Sequence, residues 1–243
     1  MPPRQRADRL LVERGLFESR AKAQAAIAAG LVTADAAPVR KASEEIAVDA
    51  ALTAAPAFTW VSRGGVKLAA ALDRFALDVA GRVCLDVGAS TGGFAEVLLA
   101  RGARRVYAVD VGTGQLHRRL RERPEIVSME ETDIRALDPA ALSERPTFIT
   151  IDVSFISLKL VLPAALALAA RPADVVALIK PQFEVPPAEN KKGIVRDAQV
   201  HSRVCADFES FAASLGLERI ALGESEITGG DGNREFFLGA HLG

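Results

Sequence analysis

Residues 175–184 read VVALIKPQFE: five apolar side chains, then Lys180, then Pro181. Five consecutive apolar residues suit a strand buried on both faces, the habit of a parallel sheet. Proline locks its own φ and donates no hydrogen bond, so the strand stops where the lysine stands. A cation is thereby held at the carboxyl end of an apolar strand, where open α/β sheets bind their ligands.

Six further stretches share this character: RVCLDVGA (82–89), RRVYAVDV (104–111), EIVSME (125–130), TFITIDVS (147–154), RIALGESEI (219–227) and REFFLGAHL (234–242). Helical patterns lie between most of them, as in GGFAEVLLARG (92–102), with Phe94, Val97, Leu98 and Leu99 apolar. Repeated strand–helix units predict an α/β fold: a mostly parallel seven-stranded sheet with helices on both faces, Rossmann-like.

The chain has 243 residues, 49% of them hydrophobic, enough to bury one large core, or one medium and one small. Its 30 basic and 31 acidic residues nearly cancel, which excludes a basic nucleic-acid coat protein. A polyanionic partner would have to be met by local patches. Cys84 and Cys205 have no metal-ligand spacing, and Cys84, inside an apolar strand pattern, reads as a buried reduced thiol. His117, His201 and His241 are scattered, so no metal is expected. The opening MPPRQRADRL lacks an apolar signal core, and runs such as VLPAALALAA (161–170) fall short of the ~20 residues of a membrane span. The expectation is a cytoplasmic protein with no membrane partner, a monomer by default.

Residues 1–56 follow another pattern. Leu10, Leu11, Leu16 and Phe17 surround a short amphipathic turn ending at Gly15. Ser19 is placed to cap a helix over RAKAQAAIAAG (20–30), with Gly30 as its C′ residue. Strand-like pieces follow at 31–33, 38–39 and 46–48, giving a small α+β domain. The low-complexity stretch DAALTAAPAFTW (49–60) leads on, with a linker placed at 57–63 and a second domain at 64–243. The order Arg9-Leu10-Leu11, Ser19-Arg20, Ala23, Ile27, Gly30, Val32 and Val39 resembles the S4 RNA-binding domain. That resemblance implies basic side chains laid along RNA phosphates, here Arg6, Arg9, Arg20, Lys22 and Lys41. Residues 1–60 hold eight basic and seven acidic side chains, so any grip on RNA comes from arrangement.

After the first strand of the second region comes DVGASTGGF (86–94), whose glycines allow close backbone approach to a ligand. Asp110 ends the next strand, 22 residues beyond Gly88, and suits ribose hydroxyls. The spacing is not the dinucleotide G-x-G-x-x-G, and there is no Walker lysine. Asp86 suits an amino-acid ammonium better than a pyrophosphate, so S-adenosylmethionine (SAM) is the favoured cofactor, and a nicotinamide dinucleotide its distant competitor. The candidate cofactor residues are Asp86, Gly88, Ala89, Ser90, Thr91, Gly92, Gly93, Asp110, Val111, Asp133, Ile134 and Asp152. Asp133 is equally well read as reaching an adenine amine or as a solvated turn acid.

Asp152 ends the strand TFITID, Lys67 lies in WVSRGGVKL (60–68), and Glu235 follows the glycine-rich TGGDGN (228–233). With Lys180 they would form a neutral set, which makes partial burial tolerable. The set resembles the Lys-Asp-Lys-Glu tetrad of FtsJ (RrmJ)-type ribose 2′-O-methyltransferases, with SRGGVKL and LIKPQFE as its most specific markers. An S4-like region ahead of it, together with NKKGIVRD (190–197) and GGDGNREFFL (229–238), is similar to the TlyA family, also called hemolysin A-like ribosomal RNA methyltransferases. The resemblance implies SAM-dependent 2′-O-methylation of cytidine in 16S or 23S ribosomal RNA within ribosomal subunits. Lys180 would be the base or alkoxide stabiliser, oriented by Asp152, with Lys67 and Glu235 positioning the hydroxyl. Arg63 joins the RNA-binding candidates. The segment 184–203 is read either as a disordered loop or as a lid whose Lys191, Lys192 and Arg196 meet phosphates. Two other classes compete: an inactive ribosome-assembly factor and, from the older family name, a membrane-lysing protein.

Overall fold

The small residues of the N-terminal region make short elements, and each needs its ends satisfied to exist at all. In the computed structural model, which describes residues 2–229 and 231–243, the chain divides into two compact units, Met1–Thr59 and Trp60–Gly243. The first contains β1 (Arg4–Arg6), α1 (Ala7–Glu13), α2 (Arg20–Ala28), β2 (Val32–Ala34), β3 (Ala37–Pro38), β4 (Glu45–Ala47) and β5 (Leu52–Ala54). Ser19 caps α2 by accepting the Lys22 N–H at 3.3 Å. At its other end Gly30, at φ +72°, closes a Schellman turn: Gly30 N–H reaches the Ile27 carbonyl at 3.0 Å and Leu31 N–H the Ala26 carbonyl at 2.9 Å. β1 pairs with β4, and β2 lies between β3 and β5. Leu10, Leu11, Phe17, Ala23, Ile27, Val32, Val39 and Ile46 fill the core between them. β5 falls in the stretch read as low complexity: Leu52 and Ala54 pack against that core while Thr53 is exposed, so the alternation exists but is written in small residues.

The second unit contains α3 (Arg63–Phe75), β6 (Val83–Val87), α4 (Gly93–Ala100), β7 (Arg105–Val109), α5 (Arg118–Arg121), β8 (Ile126–Met129), β9 (Phe148–Ile151), α6 (Leu158–Leu168), β10 (Ala173–Ile179), α7 (Ala198–Ser214), β11 (Leu217–Glu224) and β12 (Phe236–Leu242). Its seven strands form one sheet in the order β11-β12-β10-β9-β6-β7-β8. β8, β7, β6, β9 and β10 pair in parallel, and β12 runs antiparallel to both β10 and β11. This is the Rossmann-like α/β architecture predicted from the sequence. The insertion of β12 between β10 and β11 is a long-range pairing that no local pattern announces.

Alternation within the strands decides which helix each side chain meets. Val83, Leu85, Val87, Ile149, Ile151, Val175, Ala177 and Ile179 face the α6 and α7 side. Cys84, Phe148, Val176, Leu178 and Phe237 face α3 and α4, packing with Leu68, Leu72, Phe94 and Leu98. Continued past the strand ends, the second series reaches Asp152, Lys180 and, backwards along β12, Glu235. All three therefore fall on the α3 side. The order reverses between β6 and β9, which sets the switch point beside Gly88 and Asp152.

Phe148 has no exposed surface, and the Arg82 guanidinium lies 5.1 Å from its ring centroid. Phe148→Ala is expected to destabilise the second unit by about 3–5 kcal/mol. Urea unfolding followed by the fluorescence of Trp60, the only tryptophan, measures it.

Candidate active site

β6 turns at Gly88, where φ is +79°. A Cβ there would lie 2.4 Å from the Asp152 carbonyl oxygen and 3.2 Å from Val153 Cγ1, so only glycine lets the loop rest on the end of β9. Asp110, at the end of β7, accepts the N–H groups of Ser90 (2.8 Å) and Gly112 (2.7 Å). Loop and carboxylate frame a cleft of about 540 Å³, within the range of small-molecule sites. Gly88, Ser90, Asp110, Val111, Asp133, Ile134 and Asp152 line it. Ala89, Thr91 and Gly93 line a second, smaller cleft, and Gly92 caps α4 at φ +91°.

Asp86 lies elsewhere. It is fully buried on the α3–α4 side and lines neither cleft. Thr150 Oγ1, opposite it on β9, donates to its Oδ1 at 2.9 Å, while Oδ2 has no hydrogen-bond partner. Burial pushes its carboxyl up to about 7, more than the Thr150 bond can offset. Asp133 differs: the Arg135 side chain and N–H bond it at 2.6–3.1 Å and hold it down to about 2.

Lys67, on α3, forms an ion pair with Glu235, and Lys180 lies 2.5 Å from Asp152 Oδ1. Both lysines are less than a tenth exposed, and Glu235 is 3% exposed. The four residues therefore stand as two neutral pairs. Lys180 also donates to Ser154 Oγ at 2.9 Å. Lys67, Asp152, Ser154 and Lys180, with Ser62, Gly64, Phe94 and the glycine loop, line the second cleft, of about 220 Å³. Glu235 sits behind Lys67, with its Oε1 2.5 Å from where a Gly229 Cβ would be. Gly88, Ser90, Asp152 and Ser154 border both clefts.

Pro181 opens a single 3₁₀ turn, and Glu184 at its end accepts from Ser157 Oγ (2.6 Å) and Leu158 N–H (2.8 Å). The segment after Lys180 is thus tied to the segment after Asp152. Phe155, between them, stands 91% exposed at φ +63° and leans on Phe183, 5.1 Å between ring centroids. Gln115 accepts from Ser90 Oγ at 3.1 Å, and Glu130 holds its loop by accepting the N–H groups of Gly114, Gln115 and Leu116 at 2.7–2.9 Å. Ser154, Glu184 and Gln115 are absent from the sequence reading. Ser154 could have been found two residues beyond Asp152, on the same side of the extended chain, and Glu184 closes the quoted stretch itself.

In the first unit Arg6 and Arg20 both bond Asp8, Lys22 pairs with Glu18 at 2.5 Å, and Arg9 and Lys41 are exposed. In the second, Arg63 reaches the Thr228 carbonyl. Lys191, Lys192 and Arg196 are exposed on a fastened loop: buried Asn233 donates to the Gly193 carbonyl at 2.7 Å and accepts the Val195 N–H at 3.0 Å. Both cysteines are free, and burial pushes the Cys84 thiol up to about 12. Among the described residues no His, Cys, Asp and Glu side chains cluster as a metal site, and no helix is long and apolar enough to cross a membrane.

The residues fit SAM: a carboxylate for a ribose diol at Asp110, apolar surface for a purine at Val111 and Ile134, and a turn at Gly88 whose missing Cβ leaves room for close backbone approach. Fold and site define a methyltransferase that takes its methyl group from SAM. The chain belongs to the FtsJ-like methyltransferase family, which it matches over residues 60–242. TlyA of Mycobacterium tuberculosis, a 16S/23S rRNA (cytidine-2′-O)-methyltransferase, is 46% identical over 241 residues, 98% of this chain and 90% of that protein. A solved Streptococcus thermophilus structure that carries a hemolysin name is 41% identical with a TM-score of 0.79, covering all of this chain and 90% of that one. A magnesium protoporphyrin IX methyltransferase from Synechocystis with bound SAM shares the fold at 15% identity and a TM-score of 0.52, over 74% of this chain and 80% of that one.

Two outcomes are expected. Gly88→Ala displaces the loop from Asp152 and weakens SAM binding at least about tenfold by calorimetry. Asp86 is raised in the folded state, so its contribution to stability is complete below pH ~4 and is lost as pH rises through about 7. Asp86→Asn lacks that loss, and its urea midpoint relative to the parent therefore climbs between those pH values; parallel profiles would show Asp86 ionised in the fold.

Proposed function

We propose that this chain methylates the 2′-hydroxyl of cytidine in ribosomal RNA, 16S, 23S or both, acting in the cytoplasm where ribosomal subunits are found. The observation that carries the reading is the wall shared by the two clefts: Asp152 and Ser154 border both, and Lys180 stands on the smaller side. The names of the TlyA relatives supply the nucleotide and the RNA, and family membership supplies the reaction type.

SAM, when bound, supplies a methyl group on a sulfonium whose departure leaves a neutral thioether. Asp110, Val111, Asp133 and Ile134 would hold the nucleoside end of SAM, and the Gly88–Gly93 loop its amino-acid end. A ribose hydroxyl in the smaller cleft would lie against Lys180, which takes its proton or, as an ammonium, stabilises the oxygen as it becomes anionic. Asp152 and Ser154 fix the Lys180 amine from two sides. Lys67, held by Glu235, would orient the hydroxyl. Holding nucleophile and methyl carbon in line accounts for much of the acceleration such a site can give. The first unit, read as an S4-like RNA-binding domain, would carry the RNA on Arg6, Arg9, Arg20, Lys22 and Lys41. Arg63, Lys191, Lys192 and Arg196 would add phosphate contacts.

The test is methyl transfer from labelled SAM to hypomodified 30S and 50S subunits. Wild type is expected to place label in an alkali-resistant dinucleotide, and Lys180→Ala to lose about 10²–10⁴-fold in rate while still binding SAM. Wild type that binds SAM and transfers nothing to either subunit would leave an RNA-binding assembly factor as the better reading.

A further inference from the structure

The most tightly bonded carboxylate of the first unit has no part in methyl transfer. Asp8 has no exposed surface. Its Oδ1 accepts from Arg6 Nε at 3.0 Å, and its Oδ2 from Arg6 Nη2 (3.1 Å), Arg20 Nε (3.2 Å), Arg20 Nη2 (2.8 Å) and Gln24 Nε2 (2.8 Å). Two guanidiniums thus share one buried anion, and each engages it through its Nε–Nη2 edge. The remaining N–H donors of both point away from Asp8, and the side chains stay 36% and 49% exposed. Stability alone explains one such partner. The second leaves the cluster with a net positive charge at the surface of a unit whose overall charge is almost nil.

We infer that Asp8 is a positioning residue for the recognition of RNA phosphates, fixing Arg6 and Arg20 side by side as a paired, outward-facing set of donors. The inference rests on the RNA-binding reading of the first unit. Two free arginines would repel each other and lose rotamer freedom on meeting a phosphate. Tied to a common carboxylate, they have already given up that freedom. The arginine side chains hold Asp8 well below the usual carboxylate range, so the arrangement persists throughout the physiological pH range. Lysine could supply the charge at either position but not the fork that bridges Asp8 and a phosphate together.

The test exploits a difference in sign. Asp8→Asn removes a negative charge beside two cations, so binding by bulk charge would become tighter; positioning predicts binding weaker by about tenfold. The double variant Arg6→Lys/Arg20→Lys keeps the charge and is also expected to bind about fivefold or more weakly. The full-length chain is titrated onto protein-free ribosomal RNA between roughly 50 and 200 mM salt, with circular dichroism melting as the control for folding. Both arginines are partly exposed, so the lysine variant decides the matter if Asp8→Asn does not fold. Unchanged or tighter binding by the lysine variant, or tighter binding by a folded Asp8→Asn, overturns the proposal. Wild type that fails to bind RNA at all would instead bring down the functional reading beneath it.

Discussion

Two ammonium groups cannot leave water unless negative charge leaves with them, and the carboxyl end of the sheet is arranged around that requirement. Lys67 and Lys180 are almost fully enclosed, and each has its own carboxylate. Removing one member of either pair strands a buried charge, a far larger disturbance than losing the pair whole. The carboxylates reach the lysines because strand alternation carries Asp152, Lys180 and Glu235 to one side of the sheet, the side α3 covers with Lys67. A shift of one residue in β10 would turn Lys180 towards the apolar α6–α7 side and away from Asp152. Register and charge pairing are therefore the same constraint seen at two scales.

The two units solve their charge problems differently. In the second, each buried cation has one anion and the sum is zero. In the first, one buried anion holds two cations at the surface and the sum is positive. The first arrangement suits an enclosed cleft, the second a surface that stays in contact with water.

Much of this is legible in the sequence because apolar runs and glycine spacing are local signals. The seven strands, the turn at Gly88 and the C-terminal turn at Gly30 follow from residue type alone. β5 is missed because Leu52, Thr53 and Ala54 carry little hydrophobic contrast, and pairing with β2 stabilises them more than their own propensity does. The place of β12 between β10 and β11 depends on contacts that no short pattern encodes. Asp86 shows a different limit: its spacing from Gly88 suggests a ligand contact, yet strand alternation turns it into the packed side with Thr150. Ser154, Gln115 and Glu184 escape notice because hydroxyls, amides and lone acids are common in loops, and only distance reveals what they hold.

The wall common to the two clefts has a thermodynamic consequence. Gly88, Ser90, Asp152 and Ser154 face both ligand spaces, so any free energy by which one occupant alters that wall is returned in equal measure to the other. The affinities of whatever occupies the two clefts are then linked quantities. A substitution in the wall changes two binding constants at once, and neither can be assigned to one ligand without measuring it in the presence and in the absence of the other.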